Sequence, residues 1–435
     1  MVGGKKKTKI CDKVSHEEDR ISQLPEPLIS EILFHLSTKD SVRTSALSTK
    51  WRYLWQSVPG LDLDPYASSN TNTIVSFVES FFDSHRDSWI RKLRLDLGYH
   101  HDKYDLMSWI DAATTRRIQH LDVHCFHDNK IPLSIYTCTT LVHLRLRWAV
   151  LTNPEFVSLP CLKIMHFENV SYPNETTLQK LISGSPVLEE LILFSTMYPK
   201  GNVLQLRSDT LKRLDINEFI DVVIYAPLLQ CLRAKMYSTK NFQIISSGFP
   251  AKLDIDFVNT GGRYQKKKVI EDILIDISRV RDLVISSNTW KEFFLYSKSR
   301  PLLQFRYISH LNARFYISDL EMLPTLLESC PKLESLILEM VKNQSTRRHG
   351  EKREPNVMVS TVPWCLVSSL KFVELKRSIP RYEGEMELVR YVLTNSTVLK
   401  KLRLNVYYTK KAKCAFLTEL VAIPRCSSTC VVLVL

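Results

Sequence analysis

The sequence predicts an α/β chain in two parts. A small N-terminal module of three helices precedes a curved solenoid of repeats, with a parallel sheet on its concave face and helices on its convex face. Three observations predict this. A short stretch of helical apolar periodicity lies between residues 19 and 60. Beyond it a six-residue pattern, apolar at its first, fourth and sixth positions, recurs twelve times. Glycine is scarce, at 11 of 435 residues, and no glycine-rich phosphate loop is present. A standard nucleotide-binding enzyme is therefore excluded by pattern.

The helical module begins at Asp19-Arg20-Ile21-Ser22-Gln23-Leu24-Pro25-Glu26-Pro27. Proline suits a helix start, because the first N–H groups of a helix have no partner within it. From Glu26, apolar Leu28, Ile29, Ile32, Leu33 and Leu36 form one helical stripe. Ser37-Thr38-Lys39-Asp40 ends that stripe and offers capping side chains to a short helix through Val42 and Ala46. Ser48 or Thr49 caps a third helix carrying Trp51, Leu54 and Trp55, closed by Pro59-Gly60. Three short helices cannot bury all this apolar surface among themselves, so the module implies a partner.

The repeats follow as Ile90/Leu93/Leu95, Ile118/Leu121/Val123, Leu141/Leu144/Leu146, Leu162/Met165/Phe167, Leu188/Leu191/Leu193, Leu211/Leu214/Ile216 and, weakly, Leu229/Leu232/Ala234. Their steps are 28, 23, 21, 26, 23 and 18 residues, near the roughly 20–29 of leucine-rich repeats. Later members are Val280/Leu283/Ile285, Leu302/Phe305/Tyr307, Leu333/Leu336/Leu338, Leu370/Val373/Leu375 and Leu399/Leu402/Leu404. Alternation within each motif is strand-like. Helical stretches ending in Ser185-Pro186 or Cys330-Pro331 precede two of them. Such units stack, each burying its apolar face on the next. Between about 236 and 278 the pattern blurs; one degenerate repeat (Leu253, Ile255, Phe257) and a loop at 259–268 are placed there.

No apolar run reaches the roughly 18–20 residues needed to span a bilayer, and Met1 to Arg20 has no signal-peptide core. Residence in the nucleus or cytoplasm is expected. The ten cysteines, among them Cys125, Cys161, Cys231 and Cys330, then read as small buried hydrophobes. The sequons at Asn169, Asn174, Asn343 and Asn395 would carry no glycan. The net charge of +13 gathers at residues 1–20, 263–268, 340–355 and 398–425, and the rest is near neutral. No continuous basic face for nucleic acid is indicated. Lys5-Lys6-Lys7-Thr8-Lys9 fits a solvated tail or a nuclear import signal.

Catalytic and metal motifs are missing. His16-Glu17 has no second histidine, and Cys426-x-x-x-Cys430 has no second ligand pair. His120 and His124 share one side of a strand but stand about 13 Å apart, too far to share a zinc, which also discounts a site with Cys125 and His127. No cofactor or metal is expected.

The first module resembles an F-box of the plant type, on Asp19 to Pro25, on Leu47-Ser48-Thr49-Lys50-Trp51-Arg52-Tyr53-Leu54-Trp55, and on the exit Val58 to Asp64. Ser37 stands where this type usually has proline, and Ser48-Thr49-Lys50 where Ser-Lys-Arg is commoner. The C-terminal region resembles the FBD of plant F-box/leucine-rich-repeat proteins. It does so on Val362 to Leu366, Ser368 to Leu375, Glu387 to Ser396, Val398 to Leu402 and Ile423 to Ser428. The implied division is a disordered basic tail (1–18), the F-box (19–60), a connecting segment (61–88), leucine-rich repeats (89–358), and the FBD with final repeats and cap (359–435).

The resemblance implies a substrate-recognition subunit of an SCF-type cullin–RING ubiquitin ligase. The F-box would dock a Skp-type adaptor, and through it cullin and RING subunits. The repeats would hold an unidentified protein substrate, and rate enhancement would come from proximity, not from a catalytic residue of this chain. The alternative is a repeat scaffold that binds a partner without recruiting a ligase. For the adaptor, the expected residues are Leu24, Pro25, Leu28, Ile29, Ile32, Leu33, Val42, Leu47, Trp51 and Leu54, with Ile32, Leu47 and Trp51 also fitting the module's own core. For the substrate, they are the intervening strand positions Lys92, Arg94, His143, Arg145, Arg147, Ile192, Phe194, Arg213, Asp215, Arg233, Lys235, Arg306, Glu374 and Arg403. Ile192 and Phe194 would be apolar anchors on a charged face.

Overall fold

A computed structural model describes the chain except residues 1–19, 22, 65–70, 87, 97–104, 125–128, 175, 195–202, 219–220, 238–240, 246–249, 259–266, 299–303, 317–319, 321, 342–361, 377–382 and 406–409. The basic tail with its lysine run, Cys125, His127, the Asn343 sequon and most of the 259–268 loop lie outside the described residues. Two compact units divide the chain, 1–104 and 105–435.

In the first unit, α1 (Glu26–Phe34) starts at Pro25, which occupies the N-cap position with φ at −58°. Its inner face places Ile29 and Leu33 in a core with Phe34, Trp51 and Val58. Ser37 Oγ accepts the Asp40 N–H at 3.1 Å and starts α2 (Thr38–Arg43). Ser41 Oγ donates to the Leu33 carbonyl at 3.0 Å, tying the two helices together. The expected third helix does not form. Turns occupy 49–53, followed by a single 3-10 turn, Leu54–Ser57. Bulky aromatic residues lose side-chain freedom in a helix, and Trp51, Leu54 and Trp55 reach the same core from these tighter turns. The stretch after Pro59, expected only to connect, carries β1 (Gly60–Leu63) and α3 (Thr71–Ser84), followed by β2 (Lys92–Asp96). β1 and β2 pair in parallel, Gly60 opposite Lys92.

The second unit opens with α4 (Leu106–Thr115), β3 (His120–His124), β4 (His143–Arg147), β5 (Ile164–Glu168), α5 (Thr176–Ser183) and β6 (Glu190–Phe194). It continues with β7 (Val203–Arg207), β8 (Arg213–Glu218), β9 (Asp221–Tyr225), β10 (Cys231–Met236), β11 (Phe242–Ile244) and β12 (Lys252–Phe257). Next come α6 (Lys267–Ile277), β13 (Asp282–Ile285), α7 (Ser287–Ser297), β14 (His310–Tyr316), α8 (Leu323–Glu328) and β15 (Ser335–Val341). The last elements are α9 (Trp364–Ser368), β16 (Phe372–Lys376), α10 (Glu383–Asn395), β17 (Lys401–Leu404), α11 (Lys410–Ala422) and β18 (Val431–Val434).

Its main sheet is parallel, ordered β3-β4-β5-β6-β8-β10-β12-β13-β14-β15-β16-β17-β18. The register aligns the repeat motif from strand to strand: Leu121, Leu144, Met165, Leu191 and Leu214 stand in one row, each at most 1% exposed. These rows are the core, and the residues between them form the sheet's outer face. The degenerate repeat joins the row through Leu253, opposite Leu232 and Leu283.

Two features depart from expectation. The strand assigned to Leu302/Phe305/Tyr307 is instead β14, whose Leu311 and Ala313 complete the rows opposite Leu283 and Ile285. Phe305 is buried in the preceding turn and Tyr307 is 67% exposed. The small Ala313 hides the true motif, Ile308/Leu311/Ala313. Arg306 is thus an exposed turn residue and not part of the sheet face. The second departure is a three-stranded parallel sheet, β7, β9 and β11. It arises where Val203–Arg207 and Asp221–Tyr225 alternate buried with less buried residues, the periodicity of a strand.

Candidate functional site

Two surfaces carry the side chains expected to act. On the first unit, α1 splits its apolar residues between two faces. Ile29 and Leu33 point inward, at 0% and 1% exposure, whereas Leu28 and Ile32, also four residues apart, stay 54% and 43% exposed. Leu47 joins them outside at 63%, and Val42 at 36%. Val42 also lines an apolar cleft of about 280 Å³ with Leu63, Ile74 and Phe77. Pro25 is exposed. Leu24 is half-buried against the core, and its carbonyl accepts Lys50 Nζ at 2.6 Å. Trp51 is a core residue and Leu54 packs on that core. Ile29, Leu33, Trp51 and Leu54 therefore hold the module together, and Leu28, Ile32, Val42 and Leu47 present its apolar surface. Sequence reasoning passed over Ile21 and Tyr53, which are 57% and 66% exposed. Both lie inside the motifs quoted above, so the signal was available.

The outer face of the main sheet is the second surface, and the register makes it a ladder of ion pairs. Asp122 on β3 lies 3.8 Å from Arg145 on β4 and 3.4 Å from Arg147. Arg233 on β10 binds Asp254 on β12 at 2.9 Å and Asp215 on β8 at 3.6 Å. Arg213 shares Asp215 at 2.9 Å. On β16 and β17, Arg403 stands 3.7 Å from Glu374. Asp215 and Glu374 are 2% and 6% exposed. They hold arginines in place and do not reach outward, contrary to their expected reading role. In the first unit, Lys92 and Arg94 both pair with Asp62, which is itself buried.

Ile192 and Phe194 are half-buried, not prominent anchors. The Phe194 ring meets His166 edge-on, centroids 5.7 Å apart. Burial, aided by the Arg145 charge, pushes the His166 pKa down to about 4. Burial also lowers that of His143, against the pull of Asp122. At the strand ends a cavity of about 470 Å³ brings together Phe194, Arg233 and Lys235 with the unforeseen Asn217, Asp254, Asp256, Val284, Ser286 and Arg314. His143, Arg145, Arg147, Arg213 and Arg403 lie outside its lining.

Comparison with known proteins follows the same division. An F-box domain model matches residues 21–62, a model for the LRR repeats of FBD-associated F-box protein At5g56370 matches 106–247, and the FBD model matches 359–404. F-box/FBD/LRR-repeat protein At5g53840 of Arabidopsis thaliana is 48% identical, with 98% of each chain covered. The chain belongs to the F-box/FBD/LRR-repeat family. F-box/LRR-repeat protein 13 of the same plant is 38% identical over 97% of this chain and 98% of its own. FBD-associated F-box protein At5g22730, also from Arabidopsis, is 37% identical over 96% and 94%.

Family membership gives the elements their names. The exposed apolar residues of α1 and Leu47 belong to the F-box. β16, α10 and β17 belong to the FBD, and β16 pairs in parallel with β15 of the repeats, Ser335 opposite Phe372, so the FBD continues their sheet. Among the described residues no group of three potential metal ligands occurs, and no helix is long and apolar enough to cross a membrane. The described cysteines are free thiols. Cys330 is buried as expected, where burial pushes its pKa up. Cys161 is exposed, against expectation, because it falls in the turn before β5 and not within the strand.

Proposed function

We propose that this F-box/FBD/LRR-repeat protein is the substrate-recognition subunit of an SCF-type cullin–RING ubiquitin ligase. Its F-box would engage a Skp-type adaptor, and its repeats a protein to be ubiquitinated. The observation that carries this reading is the split of α1. The module's core is complete with Ile29, Leu33 and Trp51, yet Leu28, Ile32 and Leu47 remain on the surface. Exposed apolar groups of this size on one small module mark a protein contact. The chain's contribution to ubiquitin transfer is then positional, through a raised effective concentration of substrate.

Leu28→Asp combined with Leu47→Asp tests it, because both side chains stand clear of the core. Capture of a purified Skp-type adaptor by the full chain should fall at least tenfold, while the thermal melt stays within a degree or two of wild type. Leu24→Ala is a poorer probe, since Leu24 packs on the core. Undiminished capture by the double variant would remove this reading and leave the scaffold alternative.

A further inference from the structure

β18 stands last in the order of the main sheet and pairs on one side only, with β17. Its backbone is therefore half used. Val431 N–H donates to the Lys400 carbonyl and Leu435 N–H to the Leu404 carbonyl, both at 2.9 Å. In a parallel ladder successive residues turn their N–H and C=O groups to opposite neighbours. Val432 and Val434 thus turn theirs away from β17, to a side where the described residues supply no strand. The first unit treats its own edge differently. β1 pairs with β2 on one side, and its Asp62 N–H is taken by Thr38 Oγ1 of α2 at 2.8 Å.

Strand edges left to water are normally blunted by lysine, proline or a bulge. Val431 to Leu435 holds no charged residue, no proline and no glycine. Val431, Leu433 and Leu435 are exposed, and their alternation puts them on one side of the strand. These features state what can cover the edge. Free N–H and C=O groups at strand spacing call for an extended backbone, and the apolar row calls for apolar side chains at every second residue. Charge narrows it further. Lys401, beside Val431 in the register, is exposed and has no ion-pair partner among the described residues. The Arg425 guanidinium sits at the start of β18, donating to the Cys430 carbonyl at 3.2 Å. Glu374, two strands in, is buried and stands 3.7 Å from Arg403. A second copy would bring the same cations, on a chain of net charge +13. An acidic segment compensates them.

We propose that β18 is a docking edge for an extended segment of another protein, which adds one strand to the sheet. Its backbone bonds the outward groups of Val432 and Val434. Its apolar side chains alternate beside Val431, Leu433 and Leu435, and an Asp or Glu at the end beside Val431 meets Arg425 and Lys401. Main-chain bonds give such a complex its affinity, and the side chains give it selectivity. The proposal goes beyond the ligase reading and does not rest on it, since the edge lies in the second unit and involves no F-box residue.

The test is selection of a displayed library of random linear peptides on the full-length chain. Enriched families should alternate apolar residues and carry Asp or Glu at one end. A synthetic member should lose about tenfold or more in affinity to Val432→Pro, which removes an outward N–H and sets a ring against the incoming strand. The thermal melt of that variant should hold, because the bonds to β17 come from the other residues. N-methylation of the peptide at alternate amides should abolish binding for one set of positions and spare the other, a pattern that adhesion to an apolar patch does not give. Arg425→Glu should weaken the same peptide, as should a rise in salt from about 50 to 300 mM. Leu28→Asp with Leu47→Asp should bind it as wild type does, so loss of adaptor capture in that variant tests the ligase reading separately. The proposal is overturned if no family enriches, if enriched peptides lack an acidic residue, or if N-methylation acts equally at every position. It is also overturned if Val432→Pro, folded by its melt, binds as tightly as wild type, or if the chain forms a dimer that Val432→Pro dissociates.

Discussion

Two single residues sit in conditions their chemistry resists. Trp148 follows β4 with φ at 55°, and Asn169 occupies the matching place after β5 with φ at 53°. Their N–H groups bond alike, Trp148 to the Glu168 carbonyl and Asn169 to that of Phe194, both at 2.8 Å. Asparagine tolerates this left-handed backbone, whereas a bulky side chain carries a penalty of about 1–2 kcal/mol. Trp148 is 47% exposed, so burial recovers little of it. Trp148→Asn should raise stability by about 1 kcal/mol, read as a higher urea midpoint at unchanged slope; an unmoved or lower midpoint would refute the strain. His166 is the second case. Its folded pKa of about 4 lies below the ordinary imidazole value of 6.5, so the unfolded chain binds the proton first as pH falls. Stability from this group is therefore present above about pH 6.5 and lost progressively toward pH 4. Arg145, Arg147, Asp122 and His143 all act on it electrostatically. Urea unfolding at pH 7 and pH 5 should show a smaller loss for His166→Phe than for wild type, and equal losses would refute it.

Whole elements show what was legible in sequence and what was not. The leucine rows were readable because burial on one face of a strand is written locally, every second residue. The β14 repeat is hidden in the sequence because Ala313 fills a core position with a side chain too small to mark an apolar pattern. The third F-box helix is absent although Trp51, Leu54 and Trp55 have helical spacing, because they reach the core from turns. The ion-pair ladder and the cavity were invisible, since they depend on which strands stand side by side. Gly184 is another feature that only packing reveals. It ends the turn after α5 and accepts the Leu159 N–H at 2.8 Å. An added Cβ would lie 2.6 Å from both Val157 Cγ1 and the Val157 carbonyl oxygen. Gly184→Ala should cost about 1–3 kcal/mol. Val157→Gly should not rescue it, because the carbonyl stays in place. A double variant as stable as Val157→Gly alone would show that the backbone is not the obstacle.

At the scale of the molecule, the second unit is built from neighbours. Each strand of its main sheet bonds only the strands beside it, from β3 to β18, and long-range order is the sum of these adjacent contacts. Stability in such an array is close to one-dimensional, a series of repeat terms and interface terms. Damage should then stay near its origin, and most of all near an end, where a repeat has one neighbour to lose. Leu402 on β17 is fully buried, with β16 on one side and the terminal β18 on the other. Leu402→Ala removes core volume at a cost of about 2–5 kcal/mol. Amide hydrogen exchange should show protection falling in β16, β17 and β18, while β3 to β6 exchange as in wild type. The same truncation at Leu214 on β8, which stands between β6 and β10 and further from either end, should lower protection in β6, β8 and β10 together. Uniform loss across all strands from Leu402→Ala would mean that the unit unfolds as one cooperative body, and that the repeats do not act as separable terms.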